Sequence, residues 1–258
     1  MSPKNPVLDC LVNHRSVRKF KPEPIPEETI DTILRAGTRA ATGGGIQPYA
    51  FIVIDDPDVL KKVSYIDGPL AIIAVVDQYR MKRYYESNDA PFYNDQAINL
   101  FISTWDATIA LHNVVIAAES LGLGGVYIGM ILSQNLQETL GVPEHVVPAG
   151  LVTLGVPDEE PDLRPRLPLE AVVHRNGYHV PTDEQVAAWY HEGDEAWKDR
   201  FENEWDEERR SKFLERGIDN RAKHWTIGHY TEEFTKKESK GLLANLKRAG
   251  FRLTGNED

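Results

Sequence analysis

Two arginine clusters stand out against a chain of formal net charge −11. One is His14-Arg15-Ser16-Val17-Arg18; the other is Arg164-Pro165-Arg166, within PDLRPRLP. A guanidinium is a planar fork that grips two phosphate oxygens at once, which a lysine ammonium does not do. Pro165 fixes its own φ and biases Arg164 towards extended backbone. The period of two in extended chain then sets Arg164 and Arg166 on one side. Two such clusters brought together by folding would seat one phosphate dianion. Taken singly, each also fits a solvated basic face or a loop paired with surface carboxylates.

Several familiar kinds of site are missing. The sequence has no GxGxxG, no GxxxxGK[ST], no CxxC, no HExxH and no GxSxG, so dinucleotide, Walker-type, zinc and serine-hydrolase signatures are all absent. Cys10 is the single cysteine. It rules out an internal disulfide, fits a reducing compartment, and reads as packing beside an apolar helix face rather than as a nucleophile. His112 lies on an apolar helical stripe and reads as a core histidine rather than a base. What remains is glycine: Gly122, Gly124, Gly125 and Gly129 around one strand, and Thr42-Gly43-Gly44-Gly45 after an early helix. Without a Cβ, backbone approaches a flat ligand closely, although helix caps and tight turns use glycine too. Gly122 reads as a cap.

These residues need a scaffold. A chain of 258 residues, 41% hydrophobic and 27% charged, can build one large core or two smaller ones. Its acidity argues against nucleic acid and anionic membrane as partners. The start, MSPKNPVLD, carries no apolar signal region, and the longest apolar run, LAIIAVV at 70–76, suits a buried strand and is too short to span a bilayer. A soluble, cytoplasmic protein is expected. Spacing predicts helices at about 6–13, from Pro26 to about Arg39, at 57–64, over QNLQETLG, and from about Gln96 to Leu121. The last of these carries Ile98, Phe101, Ile102, Trp105, Ile109, His112 and Ile116 at helical intervals, which suits a helix through the middle of a domain or along a subunit interface. Strands are predicted at 49–55, 70–77, 126–129 and 149–156, with a polar, aromatic stretch at 78–95. The class is α+β, with helices packed on a mixed sheet. After Pro181 tryptophans concentrate, and Trp197, Phe201 and Trp205 recur four apart, an aromatic stripe suited to a core or a subunit contact.

HRSVRKF (14–20), AAESLGLGGVYIG (117–129), PDLRPRLP (161–168), VVHRNGYH, RGIDNRAKHW (216–225) and the C-terminal KKESKGLLANLKRAGF together resemble the oxygen-insensitive nitroreductase and flavin reductase family, in its larger NADPH-preferring group. The likeness covers nearly the whole chain in order. It implies a nitroreductase-like α+β fold: a mixed central sheet flanked by helices, a long central helix and a helical C-terminal extension, in a homodimer. A core over 1–180 would bind FMN, and 181–258 would wrap the core and the partner subunit and carry a loop that contacts NADPH. By position, the resemblance assigns the flavin phosphate to His14, Arg15, Ser16, Arg18, Arg164 and Arg166. It sets Tyr127, Ile128 and Gly129 along the flavin ring, with a backbone N–H near N5. Thr42, Gly43 and Gly44 would reach the flavin from the partner subunit, and Arg216 and Arg221 would read the NADPH 2′-phosphate. It implies no catalytic side chain and no metal. The implied reaction is ping-pong hydride transfer from NADPH through flavin N5 to nitroaromatic, quinone or flavin acceptors. A dehalogenase-type flavin enzyme and a non-enzymatic flavin-binding redox sensor are the alternatives. The chain departs from the family where Thr42-Gly43-Gly44-Gly45 replaces a serine run, and where the short SYIDGP (64–69) has no match for a flavin-contacting glutamine.

Overall fold

The structure, a computed structural model, describes residues 5–253. Its contacts divide the chain into two units, Met1–Asp162 with Glu238–Asp258, and Leu163–Lys237. The sequence reading puts the boundary at 180/181. The observed division differs because the chain leaves the first unit earlier, and because its last helix returns there.

In the first unit, α1 (Pro6–Val12) and α2 (Glu27–Thr38) precede β1 (Tyr49–Ile54), α3 (Pro57–Val63) and β2 (Leu70–Asp77). Then come α4 (Gln78–Glu86), α5 (Ala97–Ser120), β3 (Gly124–Ile128), α6 (Leu136–Leu140) and β4 (Val146–Gly155). The strands form one sheet in the order β1-β2-β4-β3. Every pairing among them is antiparallel. The expected mixed sheet is therefore corrected. Among the described residues, parallel pairing is confined to isolated bridges, Ser16 with Gly125 and Gln96 with Arg252.

Alternation along β2 decides the layering. Leu70, Ile72 and Ala74 face a core with Ile30 and Ile33 of α2 and Ala107, Leu111 and Val114 of α5. Ala71, Ile73 and Val75 face the other way, against Leu60 and Val63 of α3, Ile131 and Leu136. Each fully buried Leu or Ile contributes roughly 1.5–3 kcal/mol of apolar transfer, and β2 is buried on both faces, as a central strand must be. Helix α5 is long and apolar enough in composition to cross a membrane. Here its Ala107, Ala110, Leu111, Val114 and Ala118 face packs on the sheet instead. The opposite face leaves Phe101 74% and Trp105 67% exposed, with Ile98 and Ile102 beside them. His112, expected in the core, lies on this exposed side, because the buried stripe runs through its neighbour Leu111.

The stretch 78–95 contains α4, which the sequence reading left without an element. Asp77 caps it by accepting the Arg80 N–H at 2.9 Å, but only Gln78 and Met81 of the helix are buried, so no apolar stripe announces it.

The second unit holds α7 (Leu169–Val172), α8 (Asp183–Asn203), α9 (Glu207–Glu215), α10 (Arg221–Lys223), a π-helical turn (His224–His229) and the start of α11 (Glu232–Arg248). Thr182 and Gln185 close a capping box on α8, the usual way to satisfy first-turn N–H groups. Trp197, 4% exposed, stacks on Phe201 at 5.0 Å between centroids and meets Trp205 edge-on at 6.1 Å. The stripe is thus a packing core of this unit. From Glu238 onward α11 belongs to the first unit, where Leu246, Ala249 and Phe251 pack against Val76, Leu100 and Val147.

Candidate functional site

The segment 14–20 is an extended ribbon fastened on both sides. Ser16 bridges Gly125 at the start of β3, and the Val17 N–H donates to the Gly125 carbonyl at 3.0 Å. On the other side, Lys21 N–H donates to Val156 O at 2.9 Å and Asp158 N–H to Lys19 O at 2.9 Å. Glu159 Oε1 accepts the backbone N–H groups of Arg18 at 2.6 Å and Lys19 at 3.1 Å. This close seating requires glycine at 124: a Cβ there would stand 2.7 Å from Val17 Cγ2. Gly124 therefore serves the approach of one protein segment to another rather than that of a ligand.

The side chains of the ribbon divide. His14 Nδ1 lies 2.6 Å from Glu119 Oε1 on α5. Arg15 Nη1 donates to the Pro161 carbonyl at 2.8 Å and lies 3.8 Å from Glu160. Arg18 Nη1 donates to Ser16 O at 3.3 Å. A cleft of about 420 Å³ opens here, lined by Cys10, Asn13, Arg15, Glu119, Pro157 and Glu160 among others. The Cys10 Sγ–H donates to Glu119 Oε2 and to Ile116 O, each at 3.7 Å. Burial first, then the Glu119 carboxylate, raises the Cys10 pKa, so the group is a thiol and not the reactive thiolate. It is half-buried rather than fully packed away.

Tyr127 and Ile128 end β3, paired with Val152 and Leu151. Burial pushes the Tyr127 phenol well above its ordinary range, and Glu119 adds to the effect. The protonated hydroxyl sits 3.1 Å from His112 Nδ1. Gly129 falls just past the strand, in a 3-10 turn, Gly129–Ser133. A Cβ at Gly129 would meet nothing within 4 Å, so the chain here faces open space.

Thr42, Gly43 and Gly44 lie in a tight loop with positive φ at Gly44 (60°), Gly45 (71°) and Gln47 (48°). The Thr42 hydroxyl donates to Asp106 Oδ2 at 2.8 Å. In the second unit, Arg164 and Arg166 are exposed on a segment free of helix and strand. Arg216 caps α9 and donates from Nη2 to Ile227 O at 2.6 Å. Arg221 stands 3.6 Å from Asp194 and over the Tyr190 ring. Among the described residues no group of three or more His, Cys, Asp or Glu could hold a metal ion.

Sequence reasoning missed the carboxylates Asp106, Glu119 and Glu159. Asp106 left a trace, as a lone acid inside the apolar run NLFISTWDATIAL. Glu119 and Glu159 left none, since each acts on residues more than 100 positions away.

Comparison with known proteins narrows what such a site serves. The pattern of the nitroreductase family matches residues 11–156, which takes in the ribbon, the glycine loop and Tyr127–Gly129. An NADPH-dependent oxidoreductase of Staphylococcus saprophyticus is 36% identical over 192 residues, 69% of this chain and 76% of the relative. An FMN reductase (NADPH) of Bacillus subtilis is 30% identical over 226 residues, 77% of this chain and 91% of the relative. The structure of B. megaterium NfrA2 superimposes with a TM-score of 0.83 at 29% identity, covering 97% of this chain and all of that one. With a matching pattern over more than half its length, the chain belongs to the nitroreductase family.

Proposed function

We propose that this chain is an FMN-dependent oxidoreductase that takes electrons from NADPH and delivers them to nitroaromatic, quinone or flavin acceptors. The observation that carries the reading is the fastened ribbon 14–18. Within five residues it holds an imidazole, two guanidiniums and a hydroxyl, on backbone tied to β3 and to Glu159. That donor set fits the phosphate end of a mononucleotide. The open side of Gly129 fits the edge of a flat ring.

The chemistry FMN supplies when bound is hydride acceptance at N5 and two-electron delivery to the acceptor, in a ping-pong sequence. The protein's part is seating and access. Ser16, Arg15, Arg18, Arg164 and Arg166, with His14, hold the phosphate; Tyr127, Ile128 and Gly129 lie along the ring; Thr42, Gly43 and Gly44 approach it from a partner subunit; Arg216 and Arg221 read the 2′-phosphate. The exposed apolar stripe Ile98, Phe101, Ile102 and Trp105 of α5, with Val7, Leu8, Leu11 and Val12 of α1, is the face we assign to the homodimer, since patches of this kind mark association. Cys10 kept as a free thiol suits a cytoplasmic setting.

The test is the absorption spectrum of the purified protein before and after anaerobic addition of NADPH, then of an acceptor. Flavin bands that bleach with NADPH and return with a quinone or nitroaromatic are expected. A folded, colourless protein that takes up no FMN ends the proposal. Bands that never bleach favour the storage or sensor reading instead.

A further inference from the structure

Asp106 is the one acid between Ala97 and Ala118 of α5, and it is 7% exposed. A carboxylate buried without hydrogen bonds is expensive, so its partners carry information. Its Oδ2 accepts from the Thr42 hydroxyl at 2.8 Å and from the Gly43 N–H at 3.3 Å. Thr42 Oγ1 in turn accepts the Gln47 N–H at 3.1 Å. The 42–47 loop is thereby closed on itself and tied to the long helix through one oxygen atom. Its glycines are exposed and have no side chains to hold their shape; Gln47 fastens the far end of the loop to Thr38, Tyr49 and Arg80, and Asp106 fastens the Thr42–Gly43 end. Asp106 also directly follows Trp105, on the α5 face assigned above to the homodimer.

We propose that Asp106 is a positioning residue for flavin binding: it fixes the Thr42–Gln47 loop so that the glycine backbone is presented in one shape to the flavin of a partner subunit. This rests on the flavin reading given above. It predicts an acceptor requirement and not a charge requirement, because one amide oxygen can accept both bonds that Oδ2 accepts now.

The experiment compares wild type, Asp106→Ala and Asp106→Asn by two readouts. One is amide hydrogen exchange of the flavin-free dimer; the other is FMN affinity from flavin fluorescence. Asp106→Ala should speed exchange across 42–47 while β2 and β4 amides stay protected, and should weaken FMN binding by about 10- to 100-fold, the scale of losing two ordinary hydrogen bonds. Asp106→Asn should restore slow exchange and bring affinity within about threefold of wild type. Unchanged exchange in Asp106→Ala overturns the anchor. A loosened loop with unchanged FMN affinity overturns the positioning role. So does an Asn variant as weak as the Ala variant. Should Asp106→Ala fail to fold, Thr42→Val against Thr42→Ser removes and keeps the same hydroxyl, with the same outcomes. A wild-type chain that takes up no FMN sinks the flavin reading first, before any substitution is made, and this proposal with it.

Discussion

Replacing Gly124 with alanine should dislodge the 14–20 ribbon. The added Cβ would lie 2.7 Å from Val17 Cγ2, 2.8 Å from Val17 Cβ and 3.1 Å from Pro157 Cγ. Rotating Val17 about χ1 moves its methyls but leaves its Cβ in place, so the backbone of 14–20 has to shift. That shift stretches the Val17 N–H···O bond to Gly125, now 3.0 Å. Overpacking of this kind costs about 1–3 kcal/mol, and weakening the bond about 0.5–1.5 kcal/mol. The expected destabilisation is about 1.5–4.5 kcal/mol, with FMN retention reduced alongside. Urea unfolding, followed by tryptophan emission and far-ultraviolet dichroism, measures it on Gly124→Ala, Val17→Ala and the double variant. Val17→Ala carries a cavity cost of its own, yet in the double variant it relieves part of the clash. The two costs should therefore fall short of additive by at least about 0.5 kcal/mol. A Gly124→Ala protein within about 0.5 kcal/mol of wild type, or costs that simply add, would refute the reasoning.

Other substitutions test the arginines of the proposed FMN and NADPH sites and the aromatic cluster of the second unit. Arg18→Ala and Arg166→Ala should each weaken FMN retention by about 1–3 kcal/mol, read by ultrafiltration of the flavoprotein; normal retention in both removes their phosphate role. Arg216→Ala should raise the Michaelis constant for NADPH far more than that for NADH, and equal effects would argue against 2′-phosphate recognition. His224 accepts the Trp197 indole N–H at 2.7 Å, and burial first, then His229, Arg209 and Arg200, lower its pKa from 6.5 to about 4. The unfolded chain takes up this proton first, so the stability contributed by neutral His224 is present above pH 6.5 and is lost as pH falls towards 4. Tryptophan emission should report loosening of the aromatic cluster across that window, and His224→Gln should flatten the response; an unchanged profile in His224→Gln counts against the assignment.

Much of the scaffold is readable from local pattern. The unbroken apolar run over 70–76, buried on both faces of the sheet, and a glycine at 122 with φ of 83° follow from the length and composition of the run and from the absence of a Cβ. Sheet order and strand direction do not, because β2 pairs with β4 across some 70 residues of intervening chain, and nothing local encodes that choice. The same limit governs the site. The arginine clusters are visible in sequence, whereas Glu159, which aligns the backbone of Arg18, and Asp106, which holds Thr42, become meaningful only when distant segments meet. The core expectation for His112 fails because α5 is apolar on two faces at once, and its neighbours at helical spacing belong to the exposed one.

The return of α11 to the first unit bears on how the protein is made. Val76, Leu100 and Val147 acquire their cover from Leu242, Leu246, Ala249 and Phe251, which leave the ribosome about 95 residues after Val147. At roughly 5–20 residues per second, a sticky patch stays bare on the nascent polypeptide for about 5–20 s. During synthesis this is the surface on which a chaperone would be needed, and a premature stop before residue 242 would leave it permanently uncovered.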